Sequence, residues 1–256
     1  MVMHLKRLRQ TQTVRSMLSE THLQLDQIIA PLFISECITA SQPITSMPGC
    51  EQLPLSALPD EINTLTKLGI KAVLLFGIPK TKDKTGSASL KKTGIIQQAI
   101  QVIKQTNPDC LVIADVCFCE YTSHGHCGIL DGDHIHNHKT LEALGKQAVS
   151  YADAGADWVA PSSMTDGMVQ AIRTALDKHN HQNTAILSYA VKYSSTFYGP
   201  FREAADGAPQ FGDRKTYQMN PTNASEALRE AAIDVEEGAD LLMIKPAMQY
   251  LDIIHR

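Results

Sequence analysis

The sequence predicts an α/β fold, a (β/α)8 TIM barrel preceded by an N-terminal arm, and three observations carry that prediction. Short apolar runs alternate with helical patterns along the chain. Most of the runs are apolar at nearly every position, as in strands buried on both faces of a parallel sheet. A glycine stands at three helix-to-strand junctions: Leu68-Gly69-Ile70, Ala154-Gly155-Ala156-Asp157 and Glu237-Gly238-Ala239-Asp240. Glycine accepts the left-handed backbone that ends a helix, so the same stop signal is used each time.

Residues 1–20 carry Lys6, Arg7, Arg9 and Arg15 with few core-like side chains, and read as a solvated arm. No apolar stretch of roughly 7–15 residues follows, so the segment is not a secretory signal. Residues 21–256 form the barrel domain, with strands expected over 28–34, 72–76, 111–115, 157–160, 185–189 and 240–244. Between them, Leu141, Leu144, Ala148 and Tyr151 recur at helical spacing, as do Leu228, Ala231, Ala232 and Val235. Asn223 with Glu226 three residues later predicts a cap on the second helix. No G-x-G-x-x-G follows a strand, which argues against dinucleotide binding. Six β/α units are two short of eight, so the expectation is an open sheet or a chain lacking its last two units.

Composition narrows the function. The 256 residues are 43% hydrophobic with net charge −4, which argues against a general nucleic-acid binder. No apolar run reaches the roughly 18–20 residues of a membrane span. Three of the six cysteines, Cys117, Cys119 and Cys127, fall within eleven positions. A chain this long needs no disulfide staples, so the crowding reads as a metal site in a reducing, cytoplasmic compartment.

Thiolates are soft ligands that suit Zn²⁺, and three of them leave the fourth tetrahedral position open for water or substrate. The competing reading is three unrelated buried thiols. Asp115 ends a strand just ahead of them, on the face where barrel enzymes work. His134, His136 and His138 mimic a metal site but read better as an exposed loop. Lys192 and Lys245 each follow a buried strand, where lysine is rare. Desolvation frees the neutral amine to form a Schiff base; a salt-bridged strand end is the plainer alternative for either lysine alone. Between the lysines, a long glycine-containing connection from Phe197 to Met219 has the character of a lid, and Arg202 and Arg214 on it are suited to gripping a carboxylate.

These segments resemble the porphobilinogen synthase, or δ-aminolevulinic acid dehydratase, family. The resemblance runs from Arg7-Leu8-Arg9 through Ala30-Pro31-Leu32-Phe33, Ser46-Met47-Pro48-Gly49, Leu75-Phe76-Gly77-Ile78-Pro79, the cysteine loop, Val159-Ala160-Pro161-Ser162 and the Lys192 segment to Met243-Ile244-Lys245-Pro246-Ala247. It implies a barrel that condenses two 5-aminolevulinate molecules into porphobilinogen with loss of two waters. It further implies that Lys245 forms the Schiff base with the first substrate and Lys192 with the second. Cys117, Cys119 and Cys127 would be the zinc ligands. Arg202, Arg214 and Gln218 would bind carboxylate, with Phe201, Asp115 and Ser162 lining the site, and Glu230 would be a ligand of an allosteric Mg²⁺. The arm would embrace neighbouring subunits in a homo-octamer. The sequence departs from the family at His138, where an acidic residue is usual. The family also continues for about two further units, with a serine and a tyrosine for the first substrate's carboxylate, so an inactive fragment that keeps metal binding or subunit association is one alternative. A Schiff-base aldolase is another, though it explains neither the cysteines nor the arginines.

Overall fold

The computed structural model describes residues 3–256. After an exposed 3-10 turn (Leu5–Arg9) and the short helix α1 (Gln12–Met17), neither with a buried residue, the chain enters β1 (Ile29–Ser35). The order then runs β2 (Gln42–Pro43), β3 (Glu51–Leu53), α2 (Leu58–Leu68), β4 (Ala72–Ile78), α3 (Ile95–Thr106), β5 (Leu111–Val116), β6 (Leu130–Asp131), β7 (His134–Ile135) and α4 (Asn137–Asp153). It continues through β8 (Trp158–Pro161), α5 (Met168–Lys178), β9 (Ala185–Lys192), α6 (Gly199–Ala204), α7 (Ala224–Glu237), β10 (Leu241–Lys245) and α8 (Leu251–His255).

Eight strands form one sheet in the order β10-β9-β8-β5-β4-β1-β3-β2. All six expected strands are present, and they pair in parallel with their sequence neighbours. Most start or end one to three residues away from the expected bounds; β9 runs on to include Lys192 itself, and β5 passes Asp115 to reach Val116. The short antiparallel pair β2–β3 was not legible, because two or three residues carry no period.

Alternation along the strands divides the interior in two. Val73 and Leu75 of β4, with Val112, Ala114 and Val116 of β5, face the helices and pack with Ile96, Ile100, Leu144, Tyr151 and Ile172. Leu74, Phe76 and Ile78 face the opposite way, with Phe33, Ile113, Leu187 and Tyr189. The period of two therefore puts Ile113, Asp115 and Cys117 in succession on the inner side. Gly69, Gly155 and Gly238 all have positive φ, at 94°, 105° and 106°, as the junction pattern requires.

Helix α7 departs from expectation. Ala232 and Val235 are exposed, and the buried stripe runs instead through Ala227 and Asp234, with Ala224 and Ala231 partly buried. The reason is polar: Ser188 Oγ on β9 donates to Asp234 Oδ2 at 2.6 Å, turning that face of the helix to the sheet. Asn223 is the N-cap residue but makes no side-chain cap bond; its amide donates to Glu226 Oε2 at 3.0 Å.

Gly77 of β4 leaves no room for a side chain. A Cβ there would meet the Tyr121 hydroxyl, Ile96 and Ile95, the isoleucines under 3.0 Å away. Gly77→Ala is expected to destabilise the fold by about 1–3 kcal/mol through overpacking, read as a lower denaturant midpoint at unchanged slope.

Candidate active site

Lys192 and Lys245 end adjacent parallel strands and are paired in register. Between Leu242↔Ser188 and Ile244↔Val191 the pairing shifts, so that β9 carries one extra residue. The bulge re-aims the strand. Ser188, Ala190 and Val191 pack against the α7 side, while Tyr189 and Lys192, three residues apart, both point inward. The Nζ atoms of both lysines lie 5.2 Å from the centroid of the Tyr189 ring.

The two amines have different surroundings. Lys192 is buried and donates to the Ser162 carbonyl oxygen at 2.6 Å. The Lys245 amine faces three rings, Phe201 at 4.3 Å, Tyr189 and Tyr198 at 5.7 Å. Burial, and then the positive charge of Lys192, lower the Lys245 pKa to about 8. Phe201 is fixed by edge contact with Phe76 at 4.9 Å and by Phe33 at 5.9 Å, so inner-face residues of β1 and β4 support the lid residue that covers the amine.

Past the end of β5, Cys117, Cys119 and Cys127 converge. Their sulfur atoms all lie within 4.8 Å of one another, fully buried, with Cys117 and Cys119 at 3.4 Å. None is disulfide-bonded. Gln147 of α4 donates to the Cys117 carbonyl at 2.8 Å and fixes its backbone. Burial pushes the Cys117 thiol well up, whereas hydrogen bonds from Cys117 and Cys119 pull Cys127 well below the usual thiol range. A buried three-sulfur set of this kind fits a thiophilic dication. Beside it, burial and the neighbouring Glu120 raise Asp115 well above the ordinary carboxylate range. Burial, then Cys119, raise Glu120 to about 8.

The lid is stitched to the cysteine loop. Arg214 is buried and its Nη2 donates to the carbonyls of Gly125 (2.9 Å) in the loop and Gly207 in the lid. The His126 ring lies 3.0 Å from the Tyr217 hydroxyl and 3.1 Å from the Phe211 carbonyl, and Gln210 N donates to His124 O at 3.0 Å. Burial opposes the charge on Arg214, but Cys127, Cys119, Tyr217 and Cys117 together outweigh it and raise the guanidinium further.

Arg202, Arg214 and Gln218 line one cavity of about 500 Å³ with Ser194, Ser195 and Thr196. The Nε atoms of both arginines and both amide atoms of Gln218 have no partner. Glu230 lies elsewhere, in a cavity of about 790 Å³ that it shares with Asp166, Glu226, Asp234 and Glu237. Burial, then Asp166, raise its carboxyl. Of the histidines, His134 sits in the β6–β7 ribbon, His136 caps α4 by accepting from Lys139 N at 3.3 Å, and His138 is exposed on α4. Sequence reasoning did not single out Tyr189, Glu120 or His126. Adjacency to Cys119 and Cys127 was the available signal for the last two; Tyr189 depends on the bulge and had none.

Parallel strands that deliver amines and thiols to one end of a sheet are the layout of barrel-type α/β enzymes, and the chain is of that class. The sequence profile of the delta-aminolevulinic acid dehydratase family matches residues 2–256, so the chain belongs to that family. It is 53% identical over 249 residues to delta-aminolevulinic acid dehydratase of Halalkalibacterium halodurans, covering 97% of this chain and 76% of the relative. It is 52% identical over 249 residues to the Bacillus subtilis enzyme of that name, covering 97% and 77%. Among solved structures it is similar to the Toxoplasma gondii delta-aminolevulinic acid dehydratase (porphobilinogen synthase) in complex with the reaction product porphobilinogen. That match has a TM-score of 0.95 and 42% identity, over 99% of this chain and 73% of the other.

Gly125, at φ 70°, allows the close approach of loop and lid, since a Cβ would run into the Ala208 carbonyl. Gly125→Ala is expected to add about 1–3 kcal/mol of local strain and speed proteolytic cleavage between residues 205 and 219. Unchanged cleavage would show that the contact does not hold the lid.

Proposed function

We propose that the chain condenses two molecules of 5-aminolevulinate into porphobilinogen with release of two waters, Lys245 and Lys192 each forming a Schiff base with one substrate. The observation that carries this reading is the in-register pairing of the two lysines, with Arg202, Arg214 and Gln218 lining a cavity whose wall includes Ser194, shortly past Lys192. A retro-aldol enzyme of the Schiff-base type needs one such amine and leaves the thiols without a role.

With a pKa of about 8, Lys245 is neutral in about a tenth of molecules near pH 7. The neutral amine attacks the substrate ketone; the carbinolamine then loses water to give the iminium. Lys192 keeps the pKa of its neighbour low while its own amine points at the Ser162 carbonyl. Arg202, Arg214 and Gln218 line one cavity and would grip a substrate carboxylate through guanidinium and amide donors. Phe201 and Tyr189 keep water from the amines. Asp115, its carboxyl raised by burial and by Glu120, lines the site beside Lys192. Cys117, Cys119 and Cys127 would hold a zinc ion, which supplies Lewis-acid polarisation of a substrate oxygen or activation of water.

Further from the amines, Glu230 and its acidic neighbours are the proposed place for a Mg²⁺ ion. The arm, with Met3 and Met17 more than three-quarters exposed, is proposed to embrace another subunit in a homo-octamer. No helix among the described residues is long and apolar enough to cross a membrane, and a cytoplasmic location is proposed.

Two measurements test the chemistry. The rate of borohydride trapping with labelled 5-aminolevulinate is expected to rise through about pH 8 and to label the peptide holding Lys245. Removing the Lys192 charge, as in Lys192→Met, raises the Lys245 pKa and moves the profile to higher pH. An unmodified Lys245 peptide overturns its assignment. The protein purified under reducing conditions is expected to hold about one Zn²⁺ per chain in the cysteine set. Cys119→Ala should lose that zinc while keeping its fold by circular dichroism; wild-type zinc content in the variant would sink the ligand assignment.

A further inference from the structure

We propose that Asp115, Glu120 and Cys117 form a second cation position that shares the Cys117 thiolate with the three-cysteine set. One donor atom from each of the three lies within 4.8 Å of the others, and all three residues are buried. Only Cys117 belongs to both this group and the group formed with Cys119 and Cys127. The donors therefore describe two neighbouring positions with a common sulfur, rather than one ion with extra ligands.

The carboxylates make the case. Glu120 is 2% exposed and Asp115 6%, yet Glu120 Oε2 and Asp115 Oδ1 have no hydrogen-bond partner. Buried carboxylate oxygens are normally paired, and two carboxylates with unpaired oxygens beside a thiol make a donor set that a cation can satisfy. The backbone explains how they meet. Asp115 lies on the inner face by strand alternation, and Glu120 is brought back by the tight turn in which Tyr121 N donates to Phe118 O at 2.9 Å. The thiols have Arg214 as a cationic neighbour, whereas Asp115 has chiefly Lys192, whose amine also serves the Ser162 carbonyl. Two oxygens and one shared thiolate suit a borderline dication such as Zn²⁺ or Co²⁺, and not Mg²⁺ or Ca²⁺, which avoid sulfur. A bridging thiolate carries enough charge density to serve two such ions.

The inference rests on the cysteine set being a metal site, and the test separates the two. The metal-free full chain is titrated with Co²⁺ under reducing conditions in millimolar Mg²⁺, added to compete for the acidic cavity around Glu230. The first equivalent is expected to produce a thiolate-to-cobalt charge-transfer band. A second equivalent is expected to bind and shift that band, because Cys117 then bridges. Glu120→Gln should keep the first band, lose the shift and weaken the second equivalent by about tenfold or more. Saturation at one equivalent overturns the proposal, as does a second equivalent that leaves the band unmoved, or a Glu120→Gln titration identical to wild type. Should that variant fail to fold, the wild-type titration decides by the same criteria. Absence of any thiolate band removes the cysteine site and this position together.

Discussion

The parallel ladder between β9 and β10 sets Lys192 beside Lys245, and most of the site's chemistry follows from that pairing and the bulge within it. A regular strand would alternate, leaving Tyr189 and Lys192 on opposite faces. One extra residue on β9 brings both to the inside, so a single aromatic ring lies against both amines. Two ammonium groups so close repel, and the repulsion adds to desolvation in depressing Lys245. Ser188 precedes the bulge and stays on the helix side by ordinary alternation, where its bond to Asp234 sets the rotation of α7. The irregularity thus acts on the inner face alone, by bringing the tyrosine and both amines together.

Two of the buried acidic groups have a cationic counterpart on a different segment. Cys127, whose thiol is pulled down, lies near Arg214 of the lid; Asp115 lies near Lys192. Neither cation is free. Arg214 spends one nitrogen on two backbone carbonyls, and Lys192 bonds the Ser162 carbonyl. This is why the expected carboxylate grip of Arg214 has to be read from its remaining donors, in a residue that lines the cavity with Arg202 and Gln218. A guanidinium has enough donors for both tasks, which an ammonium does not.

The parallel sheet, the three glycine stops, the cysteine cluster and the two lysines were legible because each rests on local rules: apolar runs, left-handed glycine, ligand spacing and the rarity of buried lysine. What the sequence hid is what depends on contacts between distant segments. The inward stripe of α7 runs through Ala227 and Asp234, and not through Ala232 and Val235, because a serine of β9 claims the aspartate; hydrophobic spacing alone cannot weigh a buried hydrogen bond against a valine. Tyr189 needed the bulge. The roles of His126 and Gly125 needed the lid, which lies about ninety residues further along the chain. The histidine triplet illustrates the converse: residues alternating in sequence are scattered over a ribbon, a helix cap and a helix surface.

The lid and the cysteine loop are best regarded as one mechanical unit. Arg214, His126 and Gln210 join them through backbone carbonyls and a tyrosine hydroxyl, and Gly125 lets the two backbones touch. None of these bonds is a metal bond, yet each ends within a few residues of a cysteine. Anything that orders the Cys119–Cys127 segment therefore lowers the entropy cost of placing the lid, and a closed lid in turn holds the sulfur atoms together. That coupling also reaches the amines. The lid carries Phe201, whose ring lies 4.3 Å from the Lys245 amine, so lid position sets how much water that amine meets and hence how often it is neutral. Order at the thiols and reactivity at the lysine are then two ends of one folded segment, linked by ordinary hydrogen bonds and a phenyl ring.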